Sequence, residues 1–309
     1  MIFLSRSILL PMVCCAALVC PFTANAAHHR LHHRMHHRPT AKEVDLIARA
    51  IAGATDQEPL LASSAVLVLD EESSEVLLSK NASHVQPMAS ITKLMTALVV
   101  LEANQSMDEM LEITEADEHL DKPAFSRLKR GTLLTRAELL HLALMASENR
   151  AAHALARNYP GGLGACIAAM NAKARALGMD SSRYVEPTGL SPLNVATPED
   201  LSKLVIVASN NATLQAYSTD EKFTVPLGRR LVEFHTTDRL VAHSDWHIVL
   251  QKTGYISEAG KCLVMKAVIE NRSIVIVLMN STGAQTRLVD AQRIKSWLDA
   301  KSLKVASTI

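Results

Sequence analysis

Disulfide chemistry has little material in this sequence. Of 5 cysteines in 309 residues, Cys14, Cys15 and Cys20 lie in an N-terminal segment read below as removable, so Cys166 and Cys262 alone remain. That excludes a disulfide-framework domain. Cys262 falls in an apparent core strand and Cys166 in a helix, where small buried thiols are expected; a single bridge between them stays open in an oxidising compartment. An excess of either charge is missing too, since 32 Lys and Arg stand against 31 Asp and Glu. With no long basic face and no basic patch interleaved with aromatics in the body of the chain, nucleic acid is excluded as a partner. No internal repeat is present. A membrane-spanning run is also lacking: the apolar stretch Ile8–Val19 is interrupted by Pro11, followed by Pro21, and is shorter than the roughly 20 residues a spanning helix needs.

What is present is an ordinary globular composition, 48% hydrophobic and 20% charged, enough to bury one large core or two lobes sharing one. Arg6, the apolar Ile8–Val19 and the small residues of Ala24-Asn25-Ala26 predict a signal peptide over 1–26, cleaved after Ala26, and so an exported chain with no integral membrane anchor. Bulky Val19 before Cys20 argues against a lipoprotein. Residues 27–42 hold His-His-Arg three times, from His28, His32 and His36, and read as a solvated leader, with metal or anionic-surface binding as the alternative. A globular domain is expected over 43–300. The tail, 301–309, is too short for an anchoring helix or a further domain.

Periodicity predicts a helix over Glu43–Ala54, then a hairpin of Ala65–Leu69 and Glu75–Leu78 about the polar turn Asp70–Ser74. A mainly helical lobe is expected over about 104–245, with helices at Arg136–Met145, Ala151–Arg157, Leu163–Leu177 and Pro198–Ala208. Strands return at Trp246–Tyr255, Lys261–Ile269 and Ser273–Met279, and Ala284–Leu298 closes as a helix. The fold class is therefore α/β, an antiparallel sheet flanked by helices with a mainly helical second lobe.

One stretch declares chemistry. Pro87 stops the preceding segment, and from Ser90 the apolar residues Ile91, Leu94, Met95, Leu98, Val99 and Leu101 recur at helical spacing. Ser90 and Lys93 thus share a face, where a neutral amine can take the hydroxyl proton near the positive end of the helix. Ser-x-x-Lys is weak alone, and it recurs at Ser126–Lys129. Two further motifs follow in order: Ser147-Glu148-Asn149 at a break between helices, and Lys252-Thr253-Gly254 at the end of a strand. Ser-x-x-Lys, Ser-x-Asn and Lys-Thr-Gly in that order are the signature of penicillin-interacting serine enzymes, here with Glu148 where Asp is usual.

On these motifs, and on Ala89–Ala97, Met145–Ala152, Tyr159–Gly162, Val185–Ser191, Lys252–Ile256 and Ala259–Met265, the chain resembles the serine D-alanyl-D-alanine peptidases, the low-molecular-weight penicillin-binding proteins. Within them it is most similar to the soluble periplasmic endopeptidases of the penicillin-binding protein 7 type. The resemblance implies a transpeptidase/β-lactamase-like fold, a periplasmic location, peptidoglycan peptide stems and cross-links as substrate, and β-lactams as covalent inhibitors. It implies neither metal nor other cofactor, and His235, His243 and His247 are spaced too irregularly to read as a ligand set.

The expected roles follow. Ser90 attacks a D-alanyl carbonyl and Lys93 accepts its proton, with burial and the charge of Lys252 holding the Lys93 pKa down. Ser147 relays a proton to the leaving amine, and Asn149 holds Lys93 and the substrate amide. Lys252 and Thr253 meet a carboxylate on the leaving side, and Gly254 lets the strand approach the substrate. The backbone N–H groups of Ser90 and, by resemblance, Tyr255 form the oxyanion hole. A carboxypeptidase trimming terminal D-alanine is the nearest alternative, because the same groups serve both reactions. A β-lactamase is weaker, since Glu186–Leu190 lacks the Asn of the expected deacylating segment. A non-catalytic peptidoglycan-binding protein would not need all three motifs intact.

Overall fold

The computed structural model describes residues 57–308 except His119, Asp121, Pro123 and Ala284. The expected signal peptide, the His/Arg-rich leader and the helix expected over 43–54 lie outside the described residues. In chain order, β1 (Ser63–Asp70), β2 (Val76–Lys80) and the short β3 (Gln86–Pro87) lead into a 3-10 turn, Ala89–Ile91, and helix α1 (Thr92–Glu102). Then come β4 (Met110–Glu112), β5 (Leu133–Thr135) and helices α2 (Arg136–Met145), α3 (Asn149–Arg157) and α4 (Gly162–Ala176). After β6 (Val195–Ala196) follow α5 (Pro198–Ala208), α6 (Ala212–Thr219) and the hairpin β7 (Lys222–Leu227) and β8 (Arg230–His235). The chain ends in β9 (His247–Ile256), β10 (Gly260–Ile269), β11 (Arg272–Ser281) and α7 (Thr286–Thr308).

β1, β10 and β11 each carry an unbroken apolar run through the middle, Ala65–Leu69, Cys262–Met265 and Ile274–Met279, which a strand requires only when both faces are covered. They form the middle of a five-stranded antiparallel sheet ordered β2-β1-β11-β10-β9. Alternate residues sort to two cores. Val66, Val68, Met265, Ile276 and Leu278 meet Ile294, Trp297 and Leu298 of α7. Ala65, Leu67, Val264, Val275 and Val277 join the larger core of the helical lobe. Cys166 and Cys262 are both free and buried, and burial pushes their thiols up to about 12 and about 11, so they stay protonated.

β2 and β9 lie at opposite edges of the sheet, so the long excursion between them leaves one edge and returns at the other. Its axis is α1, every residue of which from Thr92 to Val100 is buried. Burying each of its Leu and Val side chains is worth roughly 1.5–3 kcal/mol, enough to carry a few polar groups inside if those find partners. The excursion is less uniformly helical than its periodicity implies. Pro226 and Gly228 hide the β7–β8 hairpin from a pattern reading, and α6 is too short to show a period. α7 runs to Thr308 where Leu298 is the expected end, because neither Gly nor Pro follows to stop it.

Candidate active site

Ser90 sits in the 3-10 turn, and α1 proper begins two residues later at Thr92. The turn is bent by Ala89, whose φ of 49° is left-handed. Lys93, one helical turn along and only 1% exposed, places Nζ 2.9 Å from Ser90 Oγ, 2.7 Å from Asn149 Oδ1 and 2.6 Å from the Thr188 carbonyl oxygen. The chemistry of those partners matters more than their number. Two are acceptors that take the two N–H bonds of a neutral amine, and the third is a hydroxyl that can donate to its lone pair. Burial lowers the Lys93 pKa to about 8, against the opposing pull of Glu186 and Glu148.

The Thr188 carbonyl is held by a loop in which the sequence alone showed no role. The Glu186 carboxylate accepts the N–H groups of Thr188 and Gly189, both at 2.6 Å, the Thr188 hydroxyl at 2.5 Å and Asn194 Nδ2 at 2.9 Å. Asn194 Nδ2 also donates to Thr92 Oγ1 at 3.1 Å, tying this loop to the start of α1. Gly189, at φ 82°, presses so closely on the Ala89–Ser90 peptide that a Cβ there would lie 1.9 Å from the Ala89 oxygen.

Asn149 opens α3, and Ser147 stands two residues before it in a left-handed turn with φ 57°. No hydrogen bond joins Ser147 to Ser90 or Lys93 among the described residues. Glu148, between them, is buried and accepts from Ser126 Oγ; burial pushes its carboxyl above the usual range. The other Ser-x-x-Lys, Ser126–Lys129, is thus part of the support for the central motif, with no nucleophile role.

Lys252, Thr253 and Gly254 lie on β9, an edge strand of the sheet that packs against the Ala89–Ile91 turn. A Cβ at Gly254 would be 3.0 Å from Ser90 N, so one close approach that calls for glycine is to the Ala89–Ser90 turn itself. Lys252 is fully buried, with Nζ donating to the Thr253 carbonyl at 3.0 Å. Its pKa is driven well below the ordinary lysine value by burial first, then by Lys93 and Arg287. The repulsion between the two lysines therefore falls on Lys252, where the sequence reading had it acting on Lys93. Thr253 Oγ1 lies 2.5 Å from Thr237 Oγ1, and the Thr237 N–H donates to the Met145 carbonyl at 3.2 Å, so one threonine bridges β9 to the end of α2.

Residues 52–283 match the peptidase family S11, described as D-alanyl-D-alanine carboxypeptidase. The chain belongs to this peptidase family. A D-alanyl-D-alanine endopeptidase of Pseudomonas aeruginosa is 44% identical over 241 residues, covering 77% of this chain and 78% of that protein. Another from Escherichia coli is 41% identical over 255 residues, 82% of each. Among solved structures, the Streptomyces K15 DD-transpeptidase superposes with a TM-score of 0.73 at 26% identity, over 79% of this chain and 99% of that one.

Membership of this D-alanyl-D-alanine peptidase family accounts for the α/β architecture and makes the chain a serine peptidase. Lys93 meets both Ser90 and Asn149, Gly254 touches the same turn, and Thr253 is tied through Thr237 to the end of α2. Tyr255 follows on the same strand, 56% exposed, its ring centroid 3.6 Å from Lys261 Nζ. Thr188, Gly189 and Thr237 are the residues that motif reasoning passed over. Their contributions are a carbonyl, a missing Cβ and a long-range contact, and only the Pro-Thr-Gly turn after Glu186 left a local signal.

Proposed function

We propose that this protein is a periplasmic D-alanyl-D-alanine endopeptidase that opens peptidoglycan cross-links through an acyl-enzyme on Ser90 and is acylated there by β-lactams. The observation that carries the reading is the set of partners around Lys93 Nζ, which satisfies an amine and turns its lone pair toward the Ser90 hydroxyl. Ser90 Oγ adds to the D-alanyl carbonyl carbon as its proton passes to Lys93. The oxyanion develops against the N–H groups of Ser90 and Tyr255, a type of contact worth about 3 kcal/mol per donor. As the C–N bond breaks, the proton held by Lys93 reaches the departing amine through the Ser147 hydroxyl, which gives up its own proton and takes the one from Lys93, and water then releases the acyl group.

Lys252 and Thr253 receive the carboxylate of the leaving residue. An anion arriving beside Lys252 restores its proton, while Lys93, facing carbonyls and a hydroxyl and held at about 8, keeps a reactive neutral fraction near neutral pH: two like groups are tuned differently by what surrounds them. The Glu186 carboxylate is already occupied by backbone and side-chain donors, which disfavours a β-lactamase that would need it to activate water. Among the described residues no helix is long and apolar enough to cross a membrane, and the signal-like 1–26 supports export.

Fluorescent penicillin should label the protein covalently, and Ser90→Ala should abolish the label; labelling that survives the substitution overturns the assignment. Purified cross-linked muropeptide dimers should become monomers. Release of free D-alanine with dimers left intact would make the protein a carboxypeptidase, the activity in the family's description.

A further inference from the structure

Beside Ser147 lies a cavity of about 420 Å3, walled by Phe125, Arg127, Ser147, Glu148, Phe234 and His235, to which none of the steps above gives a task. Two sets of contacts fix its position relative to the reacting atoms. One wall is the turn that delivers Asn149 to Lys93. The facing wall is the end of β8, and two residues past His235 the chain reaches Thr237, which touches Thr253 and bonds to the Met145 carbonyl. The cavity therefore adjoins the carboxylate end of the cleft, next to the hydroxyl assigned to the leaving amine.

Its lining has a definite chemistry. Arg127 is held in place by an Nη1 bond to the Glu233 carbonyl at 2.8 Å and by the Phe234 ring, whose centroid lies 3.6 Å from the guanidinium carbon. Those contacts orient the cation without neutralising it. Nearby Arg130 and Arg150 both pair with Glu118, whereas Arg127 meets no carboxylate among the described residues. Glu148 is engaged by Ser126, and the Glu233 carboxylate faces Lys222 and His235 at 3.6 and 3.4 Å. Phe125 stands at the mouth, 89% exposed.

We propose that this cavity is the subsite for the leaving strand of a cross-linked peptide, with Arg127 reading a second carboxylate on that strand and Phe125 covering its apolar stem. The inference rests on the endopeptidase reading and deepens it. A terminal D-alanine brings one carboxylate, taken by Lys252 and Thr253, and has nothing left to occupy the space beyond. The leaving half of a cross-link is itself a peptide strand and carries a further carboxylate of its own. A preoriented, unpaired guanidinium is the group suited to bind it, in a bidentate fork.

The test separates the two layers. Wild-type protein that neither reacts with penicillin nor cleaves dimers sinks the endopeptidase reading, whatever the cavity does. Given both activities, kcat/KM is measured on cross-linked dimers and on D-alanine-terminated monomers. Arg127→Gln should lower the dimer-to-monomer ratio about 10-fold, mostly through KM for the dimer, and Arg127→Lys should restore part of it. An unchanged ratio, or equal losses on both substrates, overturns the proposal. Should the variant fold poorly, wild-type protein decides. Dimers amidated only at the leaving-strand carboxylate remote from the scissile bond should be cleaved about 10-fold more slowly than unmodified dimers, and equal rates refute the subsite.

Discussion

If Lys93 is the base that activates Ser90, acylation must follow the neutral fraction of an amine whose pKa burial has lowered from 10.5 to about 8. An ordinary lysine would be neutral in only about 0.03% of molecules at pH 7, whereas Lys93 is neutral in about 9%, a gain of roughly 300-fold in the reactive form. At saturating penicillin the acylation rate constant should rise about 10-fold from pH 6 to 7, about 5-fold from 7 to 8, and less than 2-fold above 8. Saturation is the right condition, because the bound carboxylate keeps Lys252 protonated and leaves the rising limb to Lys93.

Stopped-flow labelling with a fluorescent penicillin gives this profile directly. A second arm fixes its cause. Glu148 stabilises the ammonium form of Lys93, so Glu148→Gln should move the midpoint below that of the wild type while the amide still accepts from Ser126. A rate that is flat across the neutral range, a midpoint near 10.5, or a shift to higher pH in Glu148→Gln would each refute the argument that burial tunes this amine.

Other perturbations test the packing around the site. Gly189→Ala puts a Cβ 1.9 Å from the Ala89 oxygen at a positive φ and should cost at least about 3 kcal/mol in urea unfolding, while Gly254→Ala, with 3.0 Å to Ser90 N, should fold but acylate slowly; similar stability losses for the two would contradict the geometry. Ser147→Gly relieves a left-handed serine and should raise stability by about 0.5–1 kcal/mol while slowing dimer cleavage, and a destabilised or fully active variant would exclude the role given to Ser147. Burial pushes the Asp117 carboxyl up, but bonds from His153, Arg157 and the Thr114 N–H outweigh it and hold the pKa at about 2 against an ordinary 3.8. That stabilisation, about 2 kcal/mol, is fully present above 3.8 and lost as pH falls through 2, so Asp117→Asn should lower the urea midpoint at pH 7 and differ less from wild type at pH 3.

How much of this was legible in the sequence depends on whether the cause is local. Ser90 and Lys93 are neighbours because a helix makes them so, and the two apolar strands β10 and β11 announce a sheet covered on both sides. Lys252-Thr253-Gly254 was recognisable as a motif, yet the reason for its glycine was not, because the contact that excludes a Cβ joins residues far apart in the chain. Thr188 was invisible for a different reason: what it offers Lys93 is a backbone carbonyl, which every residue possesses. The direction of the Lys93–Lys252 coupling also lay beyond pattern reading, since it depends on the charges that folding gathers around each amine, Glu186 and Glu148 about Lys93, and Arg287 and Asp238 about Lys252.

The site gathers conformations that a stable fold avoids. Ala89, Ser147 and Gly189 all have positive φ, at 49°, 57° and 82°, and for the two residues with a Cβ this costs roughly 1–2 kcal/mol each. Two buried lysines add to the burden. The compensation is visible in the same structure: Thr92 Oγ1 donates to the Ala89 carbonyl at 2.8 Å, the Met88 N–H to the Asn194 carbonyl at 3.0 Å, and β3, just before the Ala89–Ile91 turn, pairs with β6, just after the loop that holds Thr188. The first of these bonds holds Ala89 itself, and the others fasten the chain on either side of the turn. The Ala89–Ile91 turn is therefore held in the conformation that sets Ser90 beside Lys93, and on the proposed mechanism no binding energy has to be spent on arranging it when a peptide arrives.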